Sequence, residues 1–332
     1  MAADTQTAPL SGFFRPEVKL EPGERVVVDY SFFVGGLFKC FEYFCLPPCS
    51  ATCLRTFKNM RKQHGAVEVR IEDARLKQQQ EGLSEQEFFE KYGFVLIKQP
   101  TKMTAEDWLA SSSLMLKEKP KETAPSPAQN IYSKELEPLI RKLIPDSGDI
   151  HFPNFALRRG PGGNFTYYGL GVHQDFGLYP EDMKTTYSSA EDSFEAWQKR
   201  LNDPGTLGYS MINFWRPVLP MEGPVKRIPL AMCDPNTVSV EDIVEQEIHG
   251  FVKGGQYSMG LKLNPKHKWY YYPDMTKDEV LVFRQFHYDR RVKAPYSQIR
   301  TVFHSAFVHP KASFLDEKRC SSEYRVGVWL QG

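Results

Sequence analysis

YYGLGVHQDF, residues 167–176, places a histidine and an aspartate one residue apart in a segment that reads as a β-strand. Side chains on a strand alternate between faces with a period of two. Tyr167, Gly169, Gly171, His173 and Asp175 therefore share one face, and the two glycines leave room beside the polar pair. TVFHSAF, residues 301–307, repeats the arrangement. There His304 shares a face with Val302 and Ala306, while Thr301, Phe303, Ser305 and Phe307 take the other. In EYRVGVWL, residues 323–330, Tyr324, Val326, Val328 and Leu330 lie opposite Arg325, Gly327 and Trp329. An arginine inside such a strand requires an anionic partner, because an unpaired interior charge is very costly.

Two imidazoles and one carboxylate bind one face of Fe(II) and leave the other face open, the donor set of non-haem iron oxygenases. His173, Asp175 and His304 supply that set. Arg325 adds a fixed cation for a dicarboxylate co-substrate, since a guanidinium fork suits bidentate carboxylate recognition. His-x-Asp alone is a weak signal, and His287-Tyr288-Asp289 is a second copy. Chain order separates the two. A jelly-roll metal site draws two ligands from an early strand and the third from a late one, and only His173 lies far enough upstream of His304.

The 332 residues are enough for a substantial core. A formal charge of +1 and a pI near 7.6 give no electrostatic footprint for nucleic acid. Aromatic residues make up 13% of the chain, with 24 Pro and 23 Gly, which suits a β-rich, turn-rich fold. No apolar run reaches transmembrane length, and the N-terminus lacks a secretion signal, so a cytoplasmic enzyme with free thiols is the default expectation.

Residues 1–65 read as an N-terminal extension, and residues 66–332 as one domain. The extension carries Cys40, Cys45, Cys49 and Cys53 among phenylalanines, followed by Arg55, Lys58, Arg61 and Lys62. Three readings stay open: a metal cluster without paired Cys-x-x-Cys knuckles, S-acylation with membrane-surface contact, or inert cysteines in a segment packed on the domain. Residues 66–146 form the helical part of the domain, with a capping box at Ser84–Glu87, a helix-ending Gly93, a second helix from Thr104, and an amphipathic helix over SKELEPLIRKLIP. A Pro- and charge-rich stretch at 117–130 reads as an exposed loop. Residues 147–332 change to short strands and turns: an all-β core with flanking helices (α+β), arranged as a cupin-like jelly roll, the double-stranded β-helix. HKWYYYPDM and DEVLVFRQF look like a hairpin turning at 273–277. Ser193, Phe194, Trp197 and Leu201 mark a helix that serves either as a lid or as a plug at a barrel end.

From about Val67 to the end the chain resembles the family of secondary-metabolism oxygenases that includes the aspergillic-acid hydroxylase, the fungal gibberellin desaturase and the cephamycin 7α-methoxylation component. The matching stretches run in order: VEVRIEDAR, EKYGFVLIK, IYSKELEPLIRKLIP, FALRRG, VHQDF, NFWRPV, PLAMCD, WYYYPDMTKDEVLVFRQF, FHSAF and YRVGVW. The resemblance implies an Fe(II)- and 2-oxoglutarate-dependent activity that uses O2. A C–H bond of a small molecule is hydroxylated, desaturated or cyclised while 2-oxoglutarate becomes succinate and CO2. By position it carries iron ligation to His173, Asp175 and His304, and co-substrate binding to Arg325. The first 65 residues have no counterpart in this pattern.

Arg158, Tyr209, Asn213, Trp215 and Arg216 are the candidates for the substrate pocket. Arg216 has a structural alternative in an ion pair with an acid such as Asp234, and Trp215 has one in the core. His151, His249, His267 and His309 read as surface or structural. Two other functions use the same residues: a zinc hydrolase or isomerase, which leaves Arg325 without a role, and a non-catalytic partner of another biosynthetic enzyme, which leaves the triad without one.

Overall fold

Two five-stranded sheets and one three-stranded sheet make up the strand-rich part of this computed structural model. It describes residues 6–21, 24–29, 62–111, 125–159, 171–187, 193–249, 255–292 and 299–332. The cysteine cluster at 40–53 and most of the Pro-rich stretch lie outside the described residues.

The major sheet runs β4 (Phe94–Lys98), β11 (Glu279–Asp289), β6 (Thr206–Pro217), β13 (Cys320–Gln331) and β5 (Ser147–Arg159), every neighbour antiparallel. Central β6 and β11 are buried along nearly their whole length, as expected of strands covered on both faces. Register assigns those faces. Tyr324 lies opposite both Phe155 and Phe214, and this outer row meets the helical segment, where Trp108 stacks on Phe155 and Tyr132 on Tyr324. One residue along, Arg325 lies opposite Asn213, which in turn lies opposite Phe283. That row, and the neighbouring pair Trp215 and Glu323, face the barrel interior.

The minor sheet runs β1 (Gln6–Leu10), β3 (Val67–Asp73), β10 (Trp269–Tyr271), β7 (Leu230–Cys233) and β12 (His304–Ala306). Beside it lie β2 (Val26–Asp29), β8 (Ile243–His249) and β9 (Gln256–Leu261). The sheets close as a jelly roll. The described part of the first 65 residues is built into it: β1 pairs with β3, and Phe13 and Phe14 are fully buried.

Most helices form where the sequence signals them, but the helix over Ala74–Glu81 and a helical turn at Ala128–Tyr132, which begins inside the stretch read as an exposed loop, were not foreseen. α1 (Ala74–Glu81) is capped by Asp73, and α2 (Glu85–Tyr92) begins with the Ser84/Glu87 capping box and ends at Gly93 with φ 70°. That glycine is needed twice over, because a Cβ there would also lie 2.9 Å from the Val302 side chain. α3 (Ala105–Ala110) has its own box between Thr104 and Asp107, and α4 (Ser133–Leu143) buries Leu136, Leu139, Ile140 and Leu143. α5 (Phe194–Leu201), capped by Ser193, drives Trp197 and Leu201 into an aromatic cluster with Tyr187, Tyr209, Phe286 and Trp329. It is a plug at one end of the barrel.

Two expectations are corrected. WYYY and the strand after it are not a hairpin: β10 pairs with β3 and β7, whereas β11 pairs with β4 and β6, so residues 273–277 cross from one layer to the other. The reason lies in the tyrosines. Tyr270 and Tyr272 pack in one core and Tyr271 in another, so β10 needs cover on both faces. Within YYGLGVHQDF, the described residues from Gly171 onward make isolated bridges, Gly171 to Ser11, His173 to His304 and Gln174 to Met259, rather than a continuous ladder.

Candidate metal centre

The His173–His304 bridge is what assembles the centre. Each backbone N–H donates to the other residue's carbonyl, at 3.1 and 2.9 Å, which sets the two imidazoles side by side, tilted by 49° with ring centroids 4.5 Å apart. Alternation along residues 302–307 then holds: Val302 and Ala306 enter one core, Phe303 and Phe307 the other, and His304 points into the barrel. His173, Asp175 and His304 bring one ligand atom each within 4.8 Å of one another. No other such group occurs among the described residues.

Hydrogen bonds leave the correct atoms for a metal. His173 Nδ1 lies 2.6 Å from the Gly171 carbonyl and His304 Nδ1 lies 3.3 Å from the Val302 carbonyl, so in both rings Nε2 carries the available lone pair. Burial, together with the neighbouring His173, pushes His304 down to about 4, a neutral imidazole. Burial also opposes charge on His173, but the hydrogen bond and charge of Asp175 outweigh it and raise that ring's pKa. Asp175 itself would be raised by burial, yet Arg325 and then His173 hold it well below the usual carboxylate range. Two neutral-capable imidazoles and one buried carboxylate fit a divalent ion such as Fe(II).

A cleft of about 380 Å³, the open solvent at its mouth included, opens onto these ligands. The minor sheet contributes Leu230 and His304, the major sheet Asn213, Trp215, Phe283, Glu323 and Arg158, and Arg319 enters just before β13. Arg319 is 3% exposed, donates to the Ile228 carbonyl and stands over the Trp215 ring at 5.4 Å.

The predicted site residues divide. His173, Asp175, His304, Arg158, Asn213 and Trp215 all line the cleft. Arg325 has other partners than a free co-substrate site would require: its Nη2 donates to Asp175 Oδ2 at 2.9 Å and to Glu323 Oε1 at 2.7 Å. Arg158 takes the other oxygen of Glu323 through Nε and Nη2, at 3.2 and 3.1 Å, so Arg158, Glu323, Arg325 and Asp175 alternate in sign toward the metal ligands. Tyr209 is off the cleft, hydrogen-bonded to His151 and Tyr187 within the aromatic plug. Arg216 faces the opposite side of β6, where it donates to the carbonyls of Gln99 and Lys277 and stacks over Tyr132. Its even position alternates away from Asn213 and Trp215, and the acid considered for it, Asp234, caps a 3-10 turn instead. Of the four histidines read as surface or structural, His151 meets Tyr187, His249 meets Glu247, His267 meets Asp242 and His309 meets Tyr271.

Arg319, Glu323 and Gln285 went unrecognised in the sequence. The first two had a signal, because the alternation read from Arg325 forward, extended backward, puts 319, 321 and 323 on the same face. Gln285 follows by alternation from Phe283, but nothing in DEVLVFRQF marks which face of that strand lines the cleft.

Comparison with known proteins adds three findings. The family model for the oxidoreductase/YMDC permease-like domain matches residues 50–329. Two relatives are the hydroxylase/desaturase efuI of Hormonema carpetanum, 34% identical over 118 residues (32% of this chain, 37% of that one), and the gibberellin cluster GA4 desaturase of Gibberella fujikuroi, 31% identical over 127 residues (36% and 35%). The alignments thus span little more than a third of either relative. Among solved structures, the iron and alpha-ketoglutarate-dependent endoperoxidase NvfI superposes with a TM-score of 0.66 at 15% identity, covering 99% of both chains, which identifies the fold. Among the described residues no helix is long and apolar enough to cross a membrane.

Proposed function

Since the chain belongs to the oxidoreductase/YMDC permease-like domain family, we propose that it is a non-haem Fe(II)- and 2-oxoglutarate-dependent oxygenase acting on a C–H bond of a small, secondary-metabolite-like substrate. The observation that carries this reading is the convergence of His173, Asp175 and His304 within 4.8 Å in a cleft that also contains the buried Arg319. Bound iron with 2-oxoglutarate and O2 supplies the oxidising power, the co-substrate leaving as succinate and CO2 while the substrate is hydroxylated, desaturated or cyclised.

His173 Nε2, His304 Nε2 and one oxygen of Asp175 hold the ion. The far carboxylate of 2-oxoglutarate pairs with Arg319. This assignment replaces the one made to Arg325, whose Nη2 already serves two carboxylates, one of them a metal ligand. Arg319 lines the cleft, and its cation is desolvated there, where an anion gains most. Leu230, Phe283 and Trp215 exclude water from the reacting centre, and Asn213 and Arg158 orient the substrate. How the substrate's C–H bonds lie relative to the ion decides between hydroxylation and desaturation.

The test is succinate formation from 2-oxoglutarate by iron-loaded protein in air. The wild type is expected to turn the co-substrate over slowly without a primary substrate, and Asp175→Ala not at all. A folded, iron-loaded wild type that makes no more succinate than Asp175→Ala contradicts the reading.

A further inference from the structure

Asp175 has two carboxylate oxygens, and the protein treats them differently. Oδ1 faces His173 Nε2 at 3.3 Å, toward the third ligand. Oδ2 accepts from Arg325 Nη2 at 2.9 Å and from Gln285 Nε2 at 2.8 Å. Gln285 also accepts from the Asp175 backbone N–H through Oε1, at 3.4 Å, so its amide grips the residue at two points. The Gln285 side chain is fully buried.

That amide sits at a register shift. In β11, Phe283 lies opposite Asn213 and Arg284 opposite Ile212, but the next pair is Phe286 with Met211. Gln285 is the extra residue of a β-bulge, without a partner on β6. The bulge keeps Gln285 on the inner face with Phe283 and turns His287 and Asp289 outward. Here the bulge is pinned on both sides, since Arg284 N–H donates to the Gly93 carbonyl at 2.8 Å and the Arg284 carbonyl accepts from Val302 N–H at 2.9 Å, two residues before His304.

We propose that Gln285 is a positioning residue which, with Arg325, occupies Oδ2 of Asp175 and so restricts that carboxylate to one-point metal binding through Oδ1. The inference rests on the metal-site reading above and deepens it. Two imidazole nitrogens and a single carboxylate oxygen would take three positions on a six-coordinate ion and would leave three, enough for a chelating keto acid and O2. A carboxylate released to bind through both oxygens would take a fourth position and compete with the co-substrate.

The experiment uses full-length protein loaded with Co(II), whose visible bands report coordination. Gln285→Met keeps side-chain length and removes the amide. Its Co(II) dissociation constant is expected to rise ~10–100-fold, the usual effect of losing an outer partner of a ligand. Its Co(II) bands are expected to shift, and 2-oxoglutarate is expected to bind Co(II)-loaded Gln285→Met more weakly than the wild type. Unchanged Co(II) affinity and bands overturn the proposal whether or not the melting temperature falls, because a merely structural role moves only the latter. Should Gln285→Met fail to fold, the carboxylate infrared stretches of Co(II)-loaded wild type decide alone: the wide splitting of one-point binding is expected, and the narrow splitting of chelation overturns the proposal. Wild type that binds no Co(II) instead brings down the metal-site reading, and this inference with it.

Discussion

Asp175 and Asp289 each stand two residues after a histidine, and each carboxylate is gripped by an arginine. Arg291 takes both oxygens of Asp289, Nε reaching Oδ1 at 3.0 Å and Nη2 reaching Oδ2 at 2.7 Å, with the Arg291 N–H also on Oδ1. At Asp175, Arg325 and Gln285 both take Oδ2, and Oδ1 is left toward the imidazoles. The bulge separates the two motifs further. With strict alternation from Phe283, residues 285, 287 and 289 would all face the barrel interior. The shift at Gln285 instead pairs Phe286 with Met211, turning His287 and Asp289 to the outer face, where they pair with Ser210 and Gly208. Arg284 and Arg300 make that surrounding cationic and, after burial, depress His287 further. The same three-residue spacing is therefore a ligand pair or a strand-end ion pair according to which face it occupies and which oxygen is left over.

The largest effect should come from removing the ligand that only the first motif possesses. His304→Ala is expected to lower Fe(II) affinity by more than the roughly 10–100-fold typical of an outer-sphere loss, while Asp289→Ala leaves it unchanged; anaerobic calorimetric titration measures both. Equal losses would erase the distinction. Next come the two arginines on the inner face. Arg325→Leu leaves Asp175 and Glu323 buried without their shared cation, and a broken buried pair costs about 3–5 kcal/mol, read as a drop in the urea midpoint together with weaker metal binding. Arg319→Leu is expected to keep metal affinity and to raise the 2-oxoglutarate requirement ~30-fold or more, the loss of about 2 kcal/mol or more for a desolvated charge pair. The reverse pattern would return the co-substrate to Arg325.

How far these distinctions were legible depends on the residue. Alternation in TVFHSAF and EYRVGVWL separated His304 from Phe303 and Arg325 from Tyr324 as the sheets do, because those strands are regular over the residues that matter. The capping boxes at Ser84 and Thr104 were legible because they are local hydrogen-bonding devices. The false hairpin after Tyr272 was not, since a hairpin and a layer crossing differ only in which distant strands provide the partners. The outward turn of His287 and Asp289 was illegible for a related reason: a bulge changes the face of everything after it without a change in composition.

Smaller effects sharpen the outer motif. Asp289→Ala removes a pair whose arginine is half exposed, so its cost is expected to be no more than about 1 kcal/mol. His287 adds a pH dependence. Its folded pKa lies well below the ordinary 6.5, by burial first and then by the nearby arginines. Between those two values the unfolded chain binds the extra proton, so stability is full above pH 6.5 and falls as the pH drops below it. His287→Gln is expected to flatten that slope in metal-free protein, measured as the urea midpoint against pH; an unchanged slope assigns the acid sensitivity to other groups.

The central claim is that the inner motif, with His304, holds iron and leaves adjoining positions for a keto acid. Anaerobic addition of Fe(II) and 2-oxoglutarate to metal-free protein tests it most directly, through the visible charge-transfer band that arises only when the keto acid chelates bound iron. The account predicts the band in wild type and in Asp289→Ala, and none in His304→Ala. A folded, iron-loaded wild type without the band, or a His304→Ala protein with it, would contradict the account.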